Sequence, residues 1–185
     1  MPTLDSDLLR RALRQPLPGA AAQALMAPQP EALGVQPPAR YLDAGVLVLC
    51  YPRAGELALA LTRRSDRLSA HAGQISFPGG LREPEDASLL ATALREAREE
   101  LRVPLEIRSS GYRIHPYVAY SPGRPFLRPD HDEVAALLET PLALLLHPGT
   151  VRSEVREIRG VSVQVPYFWV SPHKVWGATA MVLSE

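Results

Sequence analysis

The longest helical pattern in the chain lies in residues 79–103, GGLREPEDASLLATALREAREELRV. Apolar residues at the 3.6-residue period predict a helix over about 86–102. The stripe that we expect to face the core is formed by Leu90, Leu94, Ala97 and Leu101. Glu96, Glu99 and Glu100 follow the spacing i, i+3, i+4, which places them within about 100° of one another, away from that stripe. The sequence therefore predicts three neighbouring carboxylates on an outward helix face.

Two interpretations of these carboxylates stay open on the helix residues alone. Oxygen ligands of this kind bind hard divalent cations such as Mg²⁺, together with waters and substrate phosphate oxygens. The alternative is a solvated face on which Arg95, Arg98 and Arg102 offset the acids through i,i+3 and i,i+4 pairs. The preceding run FPGGL, residues 77–81, favours the metal, because two glycines bring bare backbone close to a bound ion or phosphate. A plain strand-to-loop turn is the simpler interpretation of that run.

The rest of the chain indicates strands around this helix. AGVLVLCY at 44–51 and ELALALTRR at 56–64 predict a hairpin, and GQISF at 73–77 predicts a third strand. Later pieces are strand-like at 105–114, 116–120 and around 161–170, and helix-like at 134–146 and 174–183. Strands flanking a central helix, with a second helix at the end, predict an α/β or α+β sandwich.

Composition narrows the function classes. The 185 residues are 46% hydrophobic and 22% charged, which suits one globular domain. Twenty Lys and Arg balance twenty Asp and Glu, so no overall basic field attracts nucleic acid. The single cysteine, Cys50, lies in an apolar run and predicts a buried thiol in a reducing compartment. The start has no signal-peptide pattern and no stretch is apolar enough to cross a bilayer, so we expect a cytoplasmic protein without a membrane partner.

The first forty residues are set apart by their composition. Helical spacing over 4–17 predicts a short helix that ends by Pro16 and Pro18. Residues 19–38 are rich in Ala, Pro and Gln and predict a connecting arm that packs on the body or is partly mobile, and that offers a homodimer contact. We therefore expect a helix and a Pro/Ala-rich arm at 1–40 and a single domain at 41–185.

The helical segment resembles the Nudix box, which reads Gly, five residues, Glu, seven residues, then Arg-Glu-apolar-x-Glu-Glu-x-Gly-apolar. Residues 95–100, REAREE, match its core. Three positions depart from it: Asp86 stands for the first Glu, the spacing to Arg95 is one residue longer, and Arg102 replaces the last Gly. The resemblance implies an α/β/α sandwich with a mixed β-sheet and a Nudix hydrolase domain over 41–185.

A second motif adjoins the box in LTRRSDRLSAHAGQISFPGG, residues 61–80. It resembles the coenzyme A pyrophosphatase branch of the Nudix family, and the matching residues are Leu61, Thr62, Arg64, Ser65, Leu68, His71, Gly73, Gln74 and 77–80. Residues 132–134 and 173–180 also resemble that branch. The resemblance implies hydrolysis of the diphosphate of coenzyme A, or of a derivative, to adenosine 3′,5′-bisphosphate and 4′-phosphopantetheine.

The resemblance also implies roles for the box residues. Glu96 and Glu100 would be the principal ligands of Mg²⁺ or Mn²⁺, with the Gly80 carbonyl as a neutral ligand. Glu99 would be either a third ligand or the base that deprotonates the attacking water. Arg95 would orient Glu99 through a charge-assisted hydrogen bond, with a simple surface ion pair as the alternative. Glu133, after the loop at 121–132, is either a further carboxylate of this site or a charge at a helix N-terminus.

The second motif supplies the candidate substrate-binding residues. Arg64, Arg67 and His71 would meet the diphosphate or the ribose 3′-phosphate, although Arg67 fits a solvated loop charge equally well. Gln74 and Phe77 would be part binding wall and part core. The remaining aromatic and imidazole candidates receive no site role: Trp176 is interpreted as a packing anchor, and His115, His131, His147 and His173 lack metal-ligand spacing.

Two other functions compete with this prediction. The box fixes phosphate chemistry and leaves recognition to loops, so the substrate is alternatively another nucleoside diphosphate derivative. The other alternative is a Nudix-fold module that binds a nucleotide without cleaving it.

Overall fold

Helices and strands alternate along the chain in the computed structural model, which describes residues 6–28, 41–101, 112–158 and 160–185. In chain order the elements are α1 (Ser6–Ala12), α2 (Ala20–Met26), β1 (Leu42–Arg53), β2 (Glu56–Arg64), β3 (Ile75–Ser76), β4 (Gly79–Leu81), α3 (Leu89–Leu101), β5 (Tyr112–Tyr120), β6 (Val134–Pro141), α4 (Leu142–Leu145), a 3₁₀ turn (Pro148–Thr150), β7 (Val151–Ile158), β8 (Val161–Val170), β9 (His173–Trp176) and α5 (Gly177–Leu183). Within these residues no helix is both long and apolar enough to span a membrane.

The main sheet is built around the long strand β1. On one side β1 pairs in parallel with β5, and on the other it pairs antiparallel with β2 and β4. β2 continues the sheet through antiparallel pairs with β6 and β3. The strands β7, β8 and β9 form a second, antiparallel sheet that packs against α5. The mixed sheet and the hairpin of β1 and β2 confirm the predicted fold class.

The helix α3, which carries the motif residues 95–100, approaches β1 through small residues. Gly45 on β1 leaves no room for a side chain, since a Cβ there would lie 2.5 Å from the Leu89 carbonyl oxygen. Ala93 and Ala97 are fully buried against the sheet. The predicted core stripe is wrong at Leu90, which is 44% exposed. Close packing on a glycine selects alanines for the contact, and a search for large apolar residues overlooks them.

Two other predictions from the chain need correction. The helix-like piece at 134–146 is mainly the strand β6, because Val134–Pro141 pairs antiparallel with β2 and this tertiary pairing overrides the helix preference of Ala and Leu. The arm at 19–38 contains the helix α2, whose Met26 is buried, and α2 packs against α5. Residues 29–40 and 102–111, which include parts of the predicted arm, helix and strand, lie outside the described residues.

Cys50 is buried in β1, and burial raises the pKa of its thiol to about 12. The prediction of a buried thiol is therefore confirmed.

Candidate active site

The C-terminal half of α3 brings two carboxylates against the turn that contains β4. Glu96 lies so close to Gly80 that a Cβ there would be 2.1 Å from the Glu96 carboxylate, so only glycine leaves room for it. Glu100 is 2% exposed, accepts a hydrogen bond from the Gly79 N–H at 3.2 Å and lies 3.5 Å from Arg64 Nη1. The prediction that all three glutamates face outward is wrong for Glu96, whose side chain is 14% exposed, and for Glu100, which points into the protein.

The buried carboxyl of Glu100 is electrostatically costly. Its pKa is raised to about 8, chiefly by burial and also by the neighbouring acids Glu96 and Glu133, while Arg64 and the Gly79 N–H act in the opposite direction. Nearby like charges favour the protonated acid, and a bound cation would favour the carboxylate. This corner of the protein therefore gathers more negative charge than its own cations offset.

Arg95 connects the acids along α3. Its Nη1 donates to Glu96 at 2.8 Å and to Glu99 at 3.1 Å. The predicted contact between Arg95 and Glu99 is present in the structure, but Glu99 is 52% exposed at its side chain. Arg95 thus restrains both Glu96, which faces the protein, and Glu99, which faces solvent.

The other side of the Arg95 guanidinium is held by Asp86, the residue that departs from the box. Nε and Nη2 of Arg95 donate to its two carboxylate oxygens at 3.2 and 3.1 Å. Asp86 also accepts from the Thr92 hydroxyl and the Glu83 N–H, both at 2.9 Å. Burial alone would raise the pKa of Asp86, but these hydrogen bonds hold it at about 2. Despite the one-residue change in spacing, Asp86 therefore makes a two-point contact with Arg95. Thr92, which also binds Asp86, was not singled out from the sequence.

A cavity of about 420 Å³ opens beside these carboxylates. Three acidic lining residues, together with Gly80, form what we call the acidic end: Glu96, Glu100 and Glu133. Four predicted substrate-binding residues line it as well: Arg64, His71, Gln74 and Phe77. Three predicted site residues do not line it in the described part of the chain: Arg67, Arg95 and Glu99. Arg67 is 79% exposed at its side chain and pairs with Asp132 at 3.1 Å, as a solvated loop charge does.

The segment before the box is shaped for contact with a ligand. His71 adopts a left-handed backbone with φ of 57°, which is uncommon for a residue other than glycine, and its Nδ1 lies 3.2 Å from Gln74 Oε1. The Nε of Arg64 is buried and has no hydrogen-bond partner among the described residues. A buried donor without a partner is costly, so Arg64 is suited to an anion that enters the cavity.

The opposite wall comes from the end of the chain, and sequence reasoning missed it. The lining residues there are Trp176 at the end of β9 and, from α5, Gly177, Ala178, Thr179 and Val182. Trp176 is therefore a wall residue in addition to a packing residue. The resemblance of residues 173–180 to a family motif was the available signal.

The donor set fits a divalent cation shared with a substrate. In the described ranges, no group of three or more His, Cys, Asp or Glu side chains is arranged to hold a metal ion by itself. Glu96 and Glu100 flank the Gly80 backbone, and Glu133 adds charge nearby. Mg²⁺ commonly binds through one or two carboxylates with waters and substrate phosphates, without a full protein cage. The residues present match that mode of binding.

Comparisons with known proteins identify the family of the chain. The family model described as "NUDIX domain" matches residues 42–182. A protein of Photorhabdus laumondii described as "Uncharacterized Nudix hydrolase NudL" is 36% identical over 166 residues, covering 80% of this chain and 87% of its own. A protein of the same description from Yersinia pestis is 38% identical over 148 residues, covering 74% and 72%. The structure of a MutT/nudix family protein from Enterococcus faecalis is similar with a TM-score of 0.49 and 13% identity, covering 92% of this chain and 73% of that one.

The candidate site thus combines a buried acidic end, an arginine beside it and an open cavity. The chain belongs to the Nudix family. It is a Nudix diphosphatase, which hydrolyses the diphosphate bond of a nucleoside diphosphate derivative. Nudix hydrolases generally need divalent metal ions such as Mg²⁺ or Mn²⁺.

Proposed function

We propose that this diphosphatase acts on coenzyme A or its derivatives and releases adenosine 3′,5′-bisphosphate and 4′-phosphopantetheine. One observation carries the proposal. The residues of the 61–80 segment that resemble the coenzyme A branch, Arg64, His71 and Gln74, line the same cavity as Glu96 and Glu100. A motif that only stabilised the fold would have no need to face the carboxylates.

In this proposal the acidic end holds the metal. Glu96, Glu100 and the Gly80 carbonyl would bind Mg²⁺ or Mn²⁺, which when bound supplies positive charge that stabilises the diphosphate during attack by water. Arg64 donates to a phosphate oxygen through its unpartnered Nε and stays beside Glu100. Arg95 positions Glu96 by the hydrogen bond at 2.8 Å. His71 and Gln74 bind the substrate at the cavity wall.

We assign the general base to Glu133. It lines the cavity, whereas Glu99 does not and is held by Arg95 on the outer side of α3. The Glu133 carbonyl accepts from the Ser65 N–H at 2.7 Å, which fixes Glu133 next to the Arg64 strand end. A carboxylate at this place takes a proton from a water that attacks a phosphate held by Arg64.

The substrate is tested by product analysis. Purified protein is incubated with Mg²⁺ or Mn²⁺ and coenzyme A, ADP-ribose or nucleoside triphosphates, in parallel with Glu100→Gln, and the products are identified by mass. We expect the wild type alone to release 4′-phosphopantetheine and adenosine 3′,5′-bisphosphate. Cleavage of another substrate with coenzyme A left intact would overturn the substrate assignment and keep the diphosphatase site.

The base is tested with two matched variants in the same assay. We expect Glu133→Gln to lower kcat by about a hundredfold, the usual range for a general base, and Glu99→Gln to lower it less than about tenfold. The measurement is kcat at saturating metal, so that a weakened metal site does not imitate loss of the base. A larger loss for Glu99→Gln would transfer the role to Glu99.

A further inference from the structure

One face of the β7–β9 sheet carries an unusual set of cations and aromatic rings. Paired residues of antiparallel strands share a face, and Arg152 pairs with Tyr167, which pairs with Trp176. Trp169 pairs with Lys174 on the same face. Side chains alternate along a strand, so Glu154 and Arg156 also belong to it. This set, defined here as the basic face, is Arg152, Glu154, Arg156, Tyr167, Trp169, Lys174 and Trp176.

The cations of the basic face lie over its rings. The Arg156 guanidinium carbon is 4.5 Å from the centre of the Trp176 ring, and Lys174 Nζ is 5.4 Å from that of Tyr167. Glu154 accepts hydrogen bonds from both Arg156, at 2.6 Å, and Lys174. Among the described side chains of this face, three cations therefore stand against one carboxylate. Arg156 and Lys174 are about one-third exposed, so a ligand can reach them.

Trp176 connects the basic face to the active-site cavity. Trp176, whose ring lies under Arg156, is also one of the residues that line the cavity together with Glu96 and Glu100. Among the described residues that line the cavity, Arg64 is the only arginine or lysine. A substrate with a diphosphate occupies Arg64 with that group. A second phosphate on the same substrate must find its cations elsewhere, away from the acidic end that repels it.

We propose that Arg156 and Lys174 form an anion-binding subsite for a phosphate monoester on the ribose of the substrate. The inference rests on the proposed function, since coenzyme A carries a 3′-phosphate in addition to its diphosphate. The two cations bind the phosphate oxygens by charge-assisted hydrogen bonds, and Trp176 forms the wall between this phosphate and the cavity. Before the substrate arrives, Glu154 is the anion that occupies both cations, and the phosphate takes its place. The subsite thus selects substrates that bear the extra phosphate.

The test compares coenzyme A with 3′-dephospho-coenzyme A, which differ only in that phosphate. We expect Arg156→Gln and Lys174→Gln each to lower kcat/KM for coenzyme A by about tenfold or more, through KM, and to change it less than about twofold for the dephospho form. Arg152→Gln is the matched control. It removes the same charge from the same face, but its ring partner, Trp169 at 5.3 Å, does not line the cavity. Equal losses on both substrates, or losses as large in the control, would overturn the subsite.

Glu154→Gln separates binding from a purely structural ion pair. Removing the competing carboxylate leaves both cations for the phosphate, so we expect KM for coenzyme A to fall. If these ion pairs only stabilise the fold, the opposite is expected. Glu154→Gln, Arg156→Gln and Lys174→Gln should then each raise KM and lower the thermal midpoint.

Binding of products gives an arm that does not depend on turnover. Calorimetry with adenosine 3′,5′-bisphosphate and with AMP should show tighter binding of the bisphosphate to the wild type and equal binding of both to Arg156→Gln. Failure of coenzyme A hydrolysis with this preference intact would overturn the proposed substrate alone. Absence of the preference in the wild type would overturn the subsite alone.

Discussion

Two buried carboxylic acids at opposite ends of α3 have opposite electrostatics. Asp86, just before the helix, is 7% exposed and has a pKa of about 2. Glu100, in its last turn, is 2% exposed and has a pKa of about 8. Burial pushes both values upward, so the difference comes from the partners. The two-point contact from Arg95 offsets the burial of Asp86, whereas Arg64 at 3.5 Å does not offset that of Glu100.

The comparison shows that the acid at one end of α3 is stabilised as a carboxylate by its partners, whereas the acid at the other end is not. The Asp86 end has its hydrogen bonds satisfied and stabilises the entry to the helix. At the Glu100 end, ionisation of the buried acid costs stability in the free protein, and a cation would stabilise the carboxylate. Single substitutions can alter one end of α3 and leave the other in place.

The largest effect is expected for Glu100→Gln. Loss of a metal-ligand charge should lower kcat by about a thousandfold or more, since the metal stabilises the charge of the reacting phosphates. The thermal midpoint of the metal-free protein at pH 8 should rise, on the order of 5 °C, because a neutral amide replaces an acid that is costly to ionise there. Activity and thermal denaturation measured on the same preparation check both signs. A lower midpoint would contradict the assigned cost of Glu100.

The pH dependence of stability is the control for that variant. Glu100 has a pKa of about 8 in the folded protein and an ordinary value of 4.5, so the folded state holds one more proton between these values. The free energy of unfolding of the metal-free protein should therefore fall as the pH rises from about 5 to 8. Glu100→Gln should flatten this slope. Equal slopes for both proteins in urea titrations would show that other groups cause it.

The next effect separates two glycines that pair across β1 and β4, Gly45 and Gly80. A Cβ at Gly80 meets the flexible end of Glu96, so Gly80→Ala should keep the fold and lower kcat by about a hundredfold through displacement of a metal ligand. A Cβ at Gly45 meets backbone, so Gly45→Ala should lower the free energy of unfolding by about 3 kcal/mol. Urea denaturation and kcat measured for both variants check the contrast. Similar stability losses in the two would remove it.

A smaller effect is expected for Asp86→Asn. Arg95 would lose the charge of its two-point partner while keeping Glu96 and Glu99, and the free energy of unfolding at pH 7 should fall by about 2 kcal/mol. The folded pKa of about 2 lies below the ordinary 3.8, so the stabilisation is complete above about pH 4 and disappears as the pH falls through 2. Urea curves of both proteins at pH 7 and near pH 2 measure the difference. A gap that persists at the lower pH would show that the charge of Asp86 is not its source.

The sequence predicted those parts of the molecule that local patterns encode. The apolar runs predicted the β1–β2 hairpin, and helical spacing predicted α3. The short motifs named Gly80, Glu96 and Arg64, which the structure brings to one cavity.

The parts that were missed depend on contacts between distant segments. β6 is a strand because β2 pairs with it, and no local preference of its Ala-Leu sequence indicates that pairing. The burial of Glu100 follows from α3 packing through Ala93 and Ala97 on Gly45, and a glutamate reads as a surface residue until that packing is known. Trp176 reaches the cavity because β9 and α5 return to it from the end of the chain.

The paired glycines Gly45 and Gly80 set how closely α3 approaches the sheet, because neither has a side chain. Both missing side chains are on the side where the helix lies, and its Leu89 carbonyl and Glu96 carboxylate occupy their places. At this pair the distance from Glu96 to the sheet is set by the absence of side chains and not by the size of large core residues. We therefore expect changes in the apolar contacts around β2 and β6 to leave α3 in place, as long as this one pair of glycines is kept.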